Sequence, residues 1–124
     1  MRNIIFRGKR LDNGEWMYGD LQIGDDDHIP MIGTVGPGRW VEYIQVAENT
    51  IGQYTGLKDR YGDRIWEGDL VEHGDEVSEV FFDTENSCFD FKSSNDPFAA
   101  QFSCDYEILG NIHDNPEFLE GGAK

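Results

Sequence analysis

The chain has 124 residues, with 8 Phe, 5 Tyr and 3 Trp among them, and a formal net charge of −15. A chain of this length is one domain, large enough to form a core without disulfide or metal staples. Its aromatic content excludes a disordered acidic tail, and its charge makes it a poor default partner for nucleic-acid phosphates or an anionic membrane, which are bound through Lys and Arg.

Short apolar runs separated by glycine-bearing turns predict an all-β fold. Ile4–Leu11 mixes apolar and basic residues and reads as the first strand. With Arg2, the residues Arg7, Lys9 and Arg10 place four of the ten Lys and Arg in the first ten positions, with no acid among them. Asp12-Asn13-Gly14 is a hairpin signal, because Asn and Gly accept positive φ, and Glu15–Ile23 returns as the second strand. Asp25-Asp26-Asp27-His28 reads as a loop ahead of Ile29-Pro30-Met31-Ile32. Gly33–Gly38 holds three glycines and Pro37, and reads as a mobile connection.

Trp40–Val46 alternates over part of its length and suits a half-buried strand. Asn49–Gly56 reads as an extended segment containing Tyr54. Asp59-Arg60-Tyr61-Gly62 is the next turn, before Arg64-Ile65-Trp66. Leu70-Val71-Glu72-His73 begins another strand. Val77–Phe82 and Cys88–Phe91 read as two strands joined by the polar turn Asp83–Ser87, and Glu107–Ile112 as the last strand. Two short helices are expected, at Asp96-Pro97-Phe98-Ala99-Ala100 and Asn115-Pro116-Glu117-Phe118-Leu119. Each places an Asp or Asn cap before a first-turn proline. Residues 1–120 are expected to form a single domain and 121–124 a frayed tail.

One internal echo links Asp12-Asn13-Gly14, Trp16 and Gly19-Asp20-Leu21 with Asp59 to Gly62, Trp66 and Gly68-Asp69-Leu70. Similar hairpins account for it better than a duplicated half-barrel, since so short a period is ambiguous.

Between Arg64 and Lys92 lie nine acids and no Lys or Arg. Such a run is ordinarily a solvated, solubilising face. Read as a binding surface, it offers Glu72, Asp75, Glu76 and Glu79 to a basic partner, and Arg7, Lys9 and Arg10 form the opposite pole. The two poles are complementary, which favours self-association into a homo-oligomer.

Other chemistry is weakly signalled. Asp25-Asp26-Asp27-His28 has carboxylates for calcium or magnesium, but an EF-hand needs alternating ligands and a Glu at the twelfth position, where Gly36 stands. His28, His73 and His113 are too scattered for a helical metal motif. Neither serine nor cysteine lies in a G-x-S-x-G elbow, and Gly33 to Gly38 lacks the Lys-Ser/Thr ending of a phosphate loop. No cofactor or metal is expected. Met1–Arg10 is not followed by the apolar region of a signal peptide, and no stretch nears the ~20 apolar residues of a membrane span. Cys88 and Cys104 lack metal-site spacing and read as free thiols, so a cytoplasmic setting is expected.

Three stretches carry a resemblance. They are Phe6-Arg7-Gly8-Lys9-Arg10 through Trp16 to Gly19-Asp20; Gly52-Gln53-Tyr54-Thr55-Gly56-Leu57-Lys58-Asp59 with Gly62 and Ile65-Trp66-Glu67-Gly68-Asp69-Leu70-Val71; and Leu109-Gly110-Asn111-Ile112-His113-Asp114-Asn115-Pro116. In this order they resemble the YopX family of small phage and prophage proteins, and they span almost the whole chain. The resemblance implies a mostly β fold with a small SH3-like barrel, and a bacterial cytoplasmic setting during phage carriage. It implies no activity and no catalytic residue. On physical grounds Gly56, Gly62 and Gly68 supply turn geometry, Asp69 caps local amides, and Trp16, Tyr18, Tyr54 and Trp66 are core candidates. The sequence thus reads as a non-enzymatic acidic module that binds an unidentified protein. The alternatives are a carboxylate-based metal-dependent enzyme and a weak single-strand nucleic-acid binder acting through the basic first strand.

Overall fold

A computed structural model describes residues 4–23, 29–35, 38, 41–92 and 98–118. The chain divides into two compact units, Met1–Tyr54 and Thr55–Lys124. The strand class is as expected: the described residues form ten strands in antiparallel sheets, with two short 3-10 segments.

The first unit contains β1 (Phe6–Lys9), β2 (Trp16–Gln22), β3 (Met31–Val35), β4 (Val41–Gln45) and the start of β5 (Gly52–Lys58), in the order β4-β3-β2-β1-β5. The β1–β2 hairpin closes through the expected turn. Gly14 has φ of 72°, its N–H donates to the Arg10 carbonyl at 2.9 Å, and the Asn13 side-chain oxygen accepts from Glu15 N–H at 2.9 Å. The period of two then sorts the side chains. Met17 and Ile32 pack with Val46, covered by Phe6, Leu21, Ile44 and Ile51. Arg7, Lys9, Trp16 and Tyr18 take the other face by register.

Gly33, Thr34 and Val35 belong to β3 and not to a mobile connection. Gly33 pairs with both Asp20 and Tyr43, and a Cβ there would stand 2.5 Å from the Tyr43 ring. The glycine serves close packing rather than freedom. Gly19 is tighter still: a Cβ there would lie 2.0 Å from the Gly33 carbonyl oxygen. Gly19→Ala is therefore expected to lower stability by about 2–3 kcal/mol, the scale of a strained overpacking substitution. A urea midpoint within error of the parent protein would show that β2 and β3 can part there at no penalty.

The expected all-β class holds, and the ladders of the described residues run in linear order, with no closed barrel assigned among them. An isolated bridge joins Arg10 to Val46, with Leu11 N–H donating to the Gln45 carbonyl and Ala47 N–H to the Lys9 carbonyl. These bonds draw the continuation of β1 toward the end of β4. The chain then enters the 3-10 turn Glu48–Thr50.

The second unit holds the end of β5 beside β6 (Arg64–Trp66), and a sheet of order β10-β7-β8-β9 built from β7 (Asp69–His73), β8 (Glu76–Asp83), β9 (Cys88–Phe91) and β10 (Glu107–Asn111). Ile65, Val71, Val80, Phe91, Ala99, Ala100 and Tyr106 form its core. The Phe91 and Tyr106 rings meet edge-on at 4.8 Å, a favoured aromatic geometry.

The helix expected from Asp96 is a 3-10 segment, Ala99–Asp105, entered through Phe98 in the left-handed region at φ 64°. Asp96 and Pro97 lie outside the described residues. The capping carboxylate comes instead from Asp90 on β9, which accepts from Phe98 and Ala100 N–H. Of the last expected helix, Glu117 and Phe118 are helical among the described residues, with Phe118 N–H donating to the Asn115 carbonyl at 3.2 Å.

The sequence echo does not extend to structure. Gly14 and Gly62 both have positive φ, but Gly19 sits within β2 beside exposed Asp20, whereas Gly68 is a turn at φ 92° beside buried Asp69.

Candidate functional site

The second unit uses its polar residues in two ways. One set is buried and holds the backbone together. Asp59 Oδ1 accepts from Tyr61 and Asp63 N–H at 2.9 and 3.0 Å, and its Oδ2 accepts from Ile108 N–H at 3.2 Å. Asp69 Oδ2 accepts from Trp66 N–H at 2.7 Å across the β6–β7 turn. Asp90 accepts from Phe91, Phe98 and Ala100 N–H. Asn111 Oδ1 accepts from His113 and Asp114 N–H, while Asn115 Oδ1 accepts from Asn111 N–H. Asp59, Asp69, Asp90 and Asn111 are each buried, where an amide left without an acceptor would be expensive.

The other set faces outward. Glu72 lies directly opposite Glu107 on the β7–β10 ladder, and Glu79 lies opposite Leu70 on the neighbouring β8. Glu72, Glu79 and Glu107 alternate with the core residues Val71, Val80 and Ile108, so they share the sheet face away from that core. Of the acids expected as binding residues, the fold thus brings Glu72 and Glu79 together. Glu76 pairs with His73 at the end of the ladder and points to the opposite face, and Asp75 sits in the exposed turn before it. Lys92 offsets part of this charge, with Nζ 3.5 Å from Glu79 and 5.5 Å from the Phe81 ring centre. In the adjoining hairpin, the Asn86 side chain hydrogen-bonds Asp83 and holds its carboxyl below the ordinary range.

Like charges directly opposed on a ladder destabilise it. Glu72→Gln is expected to raise stability by about 0.5 kcal/mol at low salt, and by less as salt screens the pair. Urea midpoints at two ionic strengths test this; a loss of stability in both would show that Glu72 is held by a favourable contact.

The basic pole is engaged within the first unit. Arg7 is only 5% exposed, with its guanidinium 4.5 Å from the Trp16 ring centre, and Lys9 Nζ approaches the same ring at 5.5 Å. Arg10 makes a two-bond pair with Asp12, at 2.9 and 2.7 Å. That pairing lowers the Asp12 pKa and raises that of Arg10. Among the aromatic core candidates, Tyr54 and Trp66 are buried, Trp16 is half-buried, and Tyr18 is 48% exposed on the outer face of β2. Tyr18 is thus corrected from core to surface. Its register opposite Arg7 sets that face.

Gly56, Gly62 and Gly68 all have positive φ, but Gly56 lies inside β5 and not in a turn. Asp25-Asp26-Asp27-His28 lies outside the described residues. Among the described residues no group of three or more His, Cys, Asp or Glu is placed to hold a metal ion, and no helix is long and apolar enough to cross a membrane. Cys88 and Cys104 are free thiols. The residues that sequence reasoning passed over are Asp90 and Asn111. Asn111 lies in a recognisable motif, but no local pattern marks Asp90, whose partners Phe98 and Ala100 are brought to it by the fold.

The family model described as YopX protein matches residues 5–120. The chain belongs to the YopX family. The crystal structure of protein EF1440 from Enterococcus faecalis is similar to it, with a TM-score of 0.64 and 23% identity over 96% of this chain and 99% of that chain. At that identity the likeness shows a shared fold. No curated protein sequence matches the chain. The residues that carry the YopX resemblance in the second unit, Asp59, Gly62, Gly68, Asp69, Asn111 and Asn115, are turn formers and amide acceptors.

Proposed function

We propose that this YopX protein is a non-enzymatic accessory module, acting in the bacterial cytoplasm during phage carriage, whose acidic second unit binds a basic surface of another protein. The observation that carries this reading is the separation of charge. Residues 55–124 hold five Lys and Arg against seventeen Asp and Glu, whereas residues 1–54 hold five against eight. Three of those seventeen acids, Glu72, Glu79 and Glu107, are partly exposed on one face of β7, β8 and β10. A field of one sign speeds encounter with an oppositely charged partner and selects against like-charged ones.

The test is an affinity pull-down of the tagged protein from lysate of a phage-carrying Gram-positive host, washed at low and at high salt, beside a Glu72→Lys/Glu79→Lys variant. A stoichiometric basic partner, lost at high salt and lost in the variant, is expected. A partner that survives both changes would overturn the electrostatic reading.

A further inference from the structure

We propose that the outer edge of β4 is a docking site for an extended, basic segment of another protein, added as a further antiparallel strand. This surface lies in the first unit and does not depend on the acidic second unit. The terminal strands of the two sheets are β4 and β6, and β9 and β10. Three of these four hold an edge amide on a buried aspartate. Asp69 accepts from Trp66 N–H on β6, Asp90 from Phe91 N–H on β9, and Asp59 from Ile108 N–H on β10. An edge amide already paired cannot template another chain. Among the described residues β4 has no such cap.

The ladder fixes which groups of β4 are open. Val46 N–H donates to the Pro30 carbonyl, so the bonded pairs alternate from there through Ile32–Ile44 and Thr34–Glu42. The N–H and C=O groups of Val41, Tyr43 and Gln45 therefore point away from β3. The Gln45 carbonyl is taken by Leu11 N–H at 3.1 Å. What is left open is the donor and acceptor of Val41 and of Tyr43, which meet no partner among the described residues. Both residues are about half exposed, at 48% and 46%. The Tyr43 ring lies over Gly33 on β3 and does not screen its own backbone. The end of β1 runs antiparallel to β4 at the Arg10–Val46 bridge, so an added strand takes up the line that β1 leaves at its turn.

The occupant follows from charge. In the added ladder Val41 and Tyr43 make the bonded pairs. Glu42 falls between them, in the non-bonded position where opposed side chains come closest. A second copy of β4 paired through Val41 and Tyr43 would set one Glu42 against the other, and like charges directly opposed destabilise a ladder. Glu42 shares its face with the core-packed Ile44, and an inward-facing charge on an edge strand is a device that blocks such self-pairing. The surroundings are acidic as well. A cavity of about 470 Å³ lies against β4, with Asp12 in its lining beside Leu11, Met31 and Tyr43. Asp12, hydrogen-bonded to Arg10, raises the Arg10 pKa together with the charges of Glu15 and Glu42, so three carboxylates act on one guanidinium. A strand with Lys or Arg opposite Glu42 and an apolar residue on either side fits this edge, its main chain supplying the bonds and its side chains the selectivity.

The probe is a fluorescein-labelled peptide, Gly-Thr-Val-Lys-Val-Thr-Gly, offered to the full chain. One control methylates the backbone nitrogens of both valines, removing the donors that face Val41 and Tyr43. A second methylates the lysine nitrogen, which faces away, and a third replaces the lysine by glutamate. The expected result is binding of the parent peptide, with amide shifts and slowed hydrogen exchange at Val41 and Tyr43. Affinity should fall at least tenfold with the valine-methylated and the glutamate peptides, and stay close to the parent value with the lysine-methylated one. Glu42→Lys, an exchange at an exposed position, should reverse the preference between the lysine and glutamate peptides. Equal binding of the valine-methylated peptide would overturn strand addition. Equal binding of the lysine and glutamate peptides would overturn the basic occupant. A dimer by light scattering, with exchange at Val41 and Tyr43 already slow before peptide is added, would give the edge to a second copy and overturn the proposal. So would the failure of every peptide to bind at millimolar concentration.

Discussion

Replacing Asp90 by alanine is expected to lower folding stability by about 3–5 kcal/mol, because three amides lose a charged acceptor at once. Oδ1 accepts from Phe91 N–H at 2.9 Å and Ala100 N–H at 3.0 Å, and Oδ2 accepts from Phe98 N–H at 2.9 Å. Phe91 and Ala100 are core residues, so water reaches their amides poorly once the carboxylate is gone. A loss of that size is a large share of the roughly 5–15 kcal/mol that holds a domain together. Asp90→Asn keeps one oxygen and should lose about half as much. Urea unfolding with near-ultraviolet circular dichroism measures both. A change under 1 kcal/mol for the alanine variant would mean that the 3-10 segment holds its place without Asp90.

The second large effect is expected at Asp59, whose replacement by alanine should lower stability by about 3–4 kcal/mol. Here the carboxylate does two jobs. Oδ1 shapes the turn by accepting from Tyr61 and Asp63 N–H, and Oδ2 reaches Ile108 N–H on β10, 49 positions away in sequence. The Arg60 N–H bond to the Tyr106 carbonyl at 2.8 Å lies beside it. Hydrogen exchange should therefore quicken together at Tyr61, Asp63 and Ile108 in the Asp59→Ala protein. Faster exchange confined to Tyr61 and Asp63 would show that β10 is anchored by its ladder with β7 alone.

These two residues mark how far the sequence can be read. Asp59 stands in an Asp-x-x-Gly turn, and a side chain that accepts from amides two and four residues on acts locally. Its turn role is therefore visible in the sequence, and its contact with Ile108 is not. Asp90 sits in the alternating segment Cys88–Phe91 and looks like a solvent-facing strand acid. Its burial follows from the return of Phe98–Ala100, a tertiary event with no sequence period. The same division holds for the candidate site. The acid-rich stretch from Glu67 to Asp90 is plain in composition, yet only strand register separates Glu72, Glu79 and Glu107 on one face from Glu76 on the other. The basic first strand reads as a free cationic pole. Its pairing with β2 instead places Trp16 opposite Lys9 and under the Arg7 guanidinium.

The sequence by itself determined the all-β class, the strand segments and the hairpin turns, because alternation and positive-φ residues act over a few neighbouring positions. It also determined the YopX kinship, whose stretches cover strands and turns alike. Only the tertiary structure decided which acids are buried as amide acceptors and which face outward, that Gly33 extends a strand, and that β4 lies at the edge of its sheet. Each of these depends on partners far away in the chain, and a one-residue change of register moves a side chain from the core to the surface.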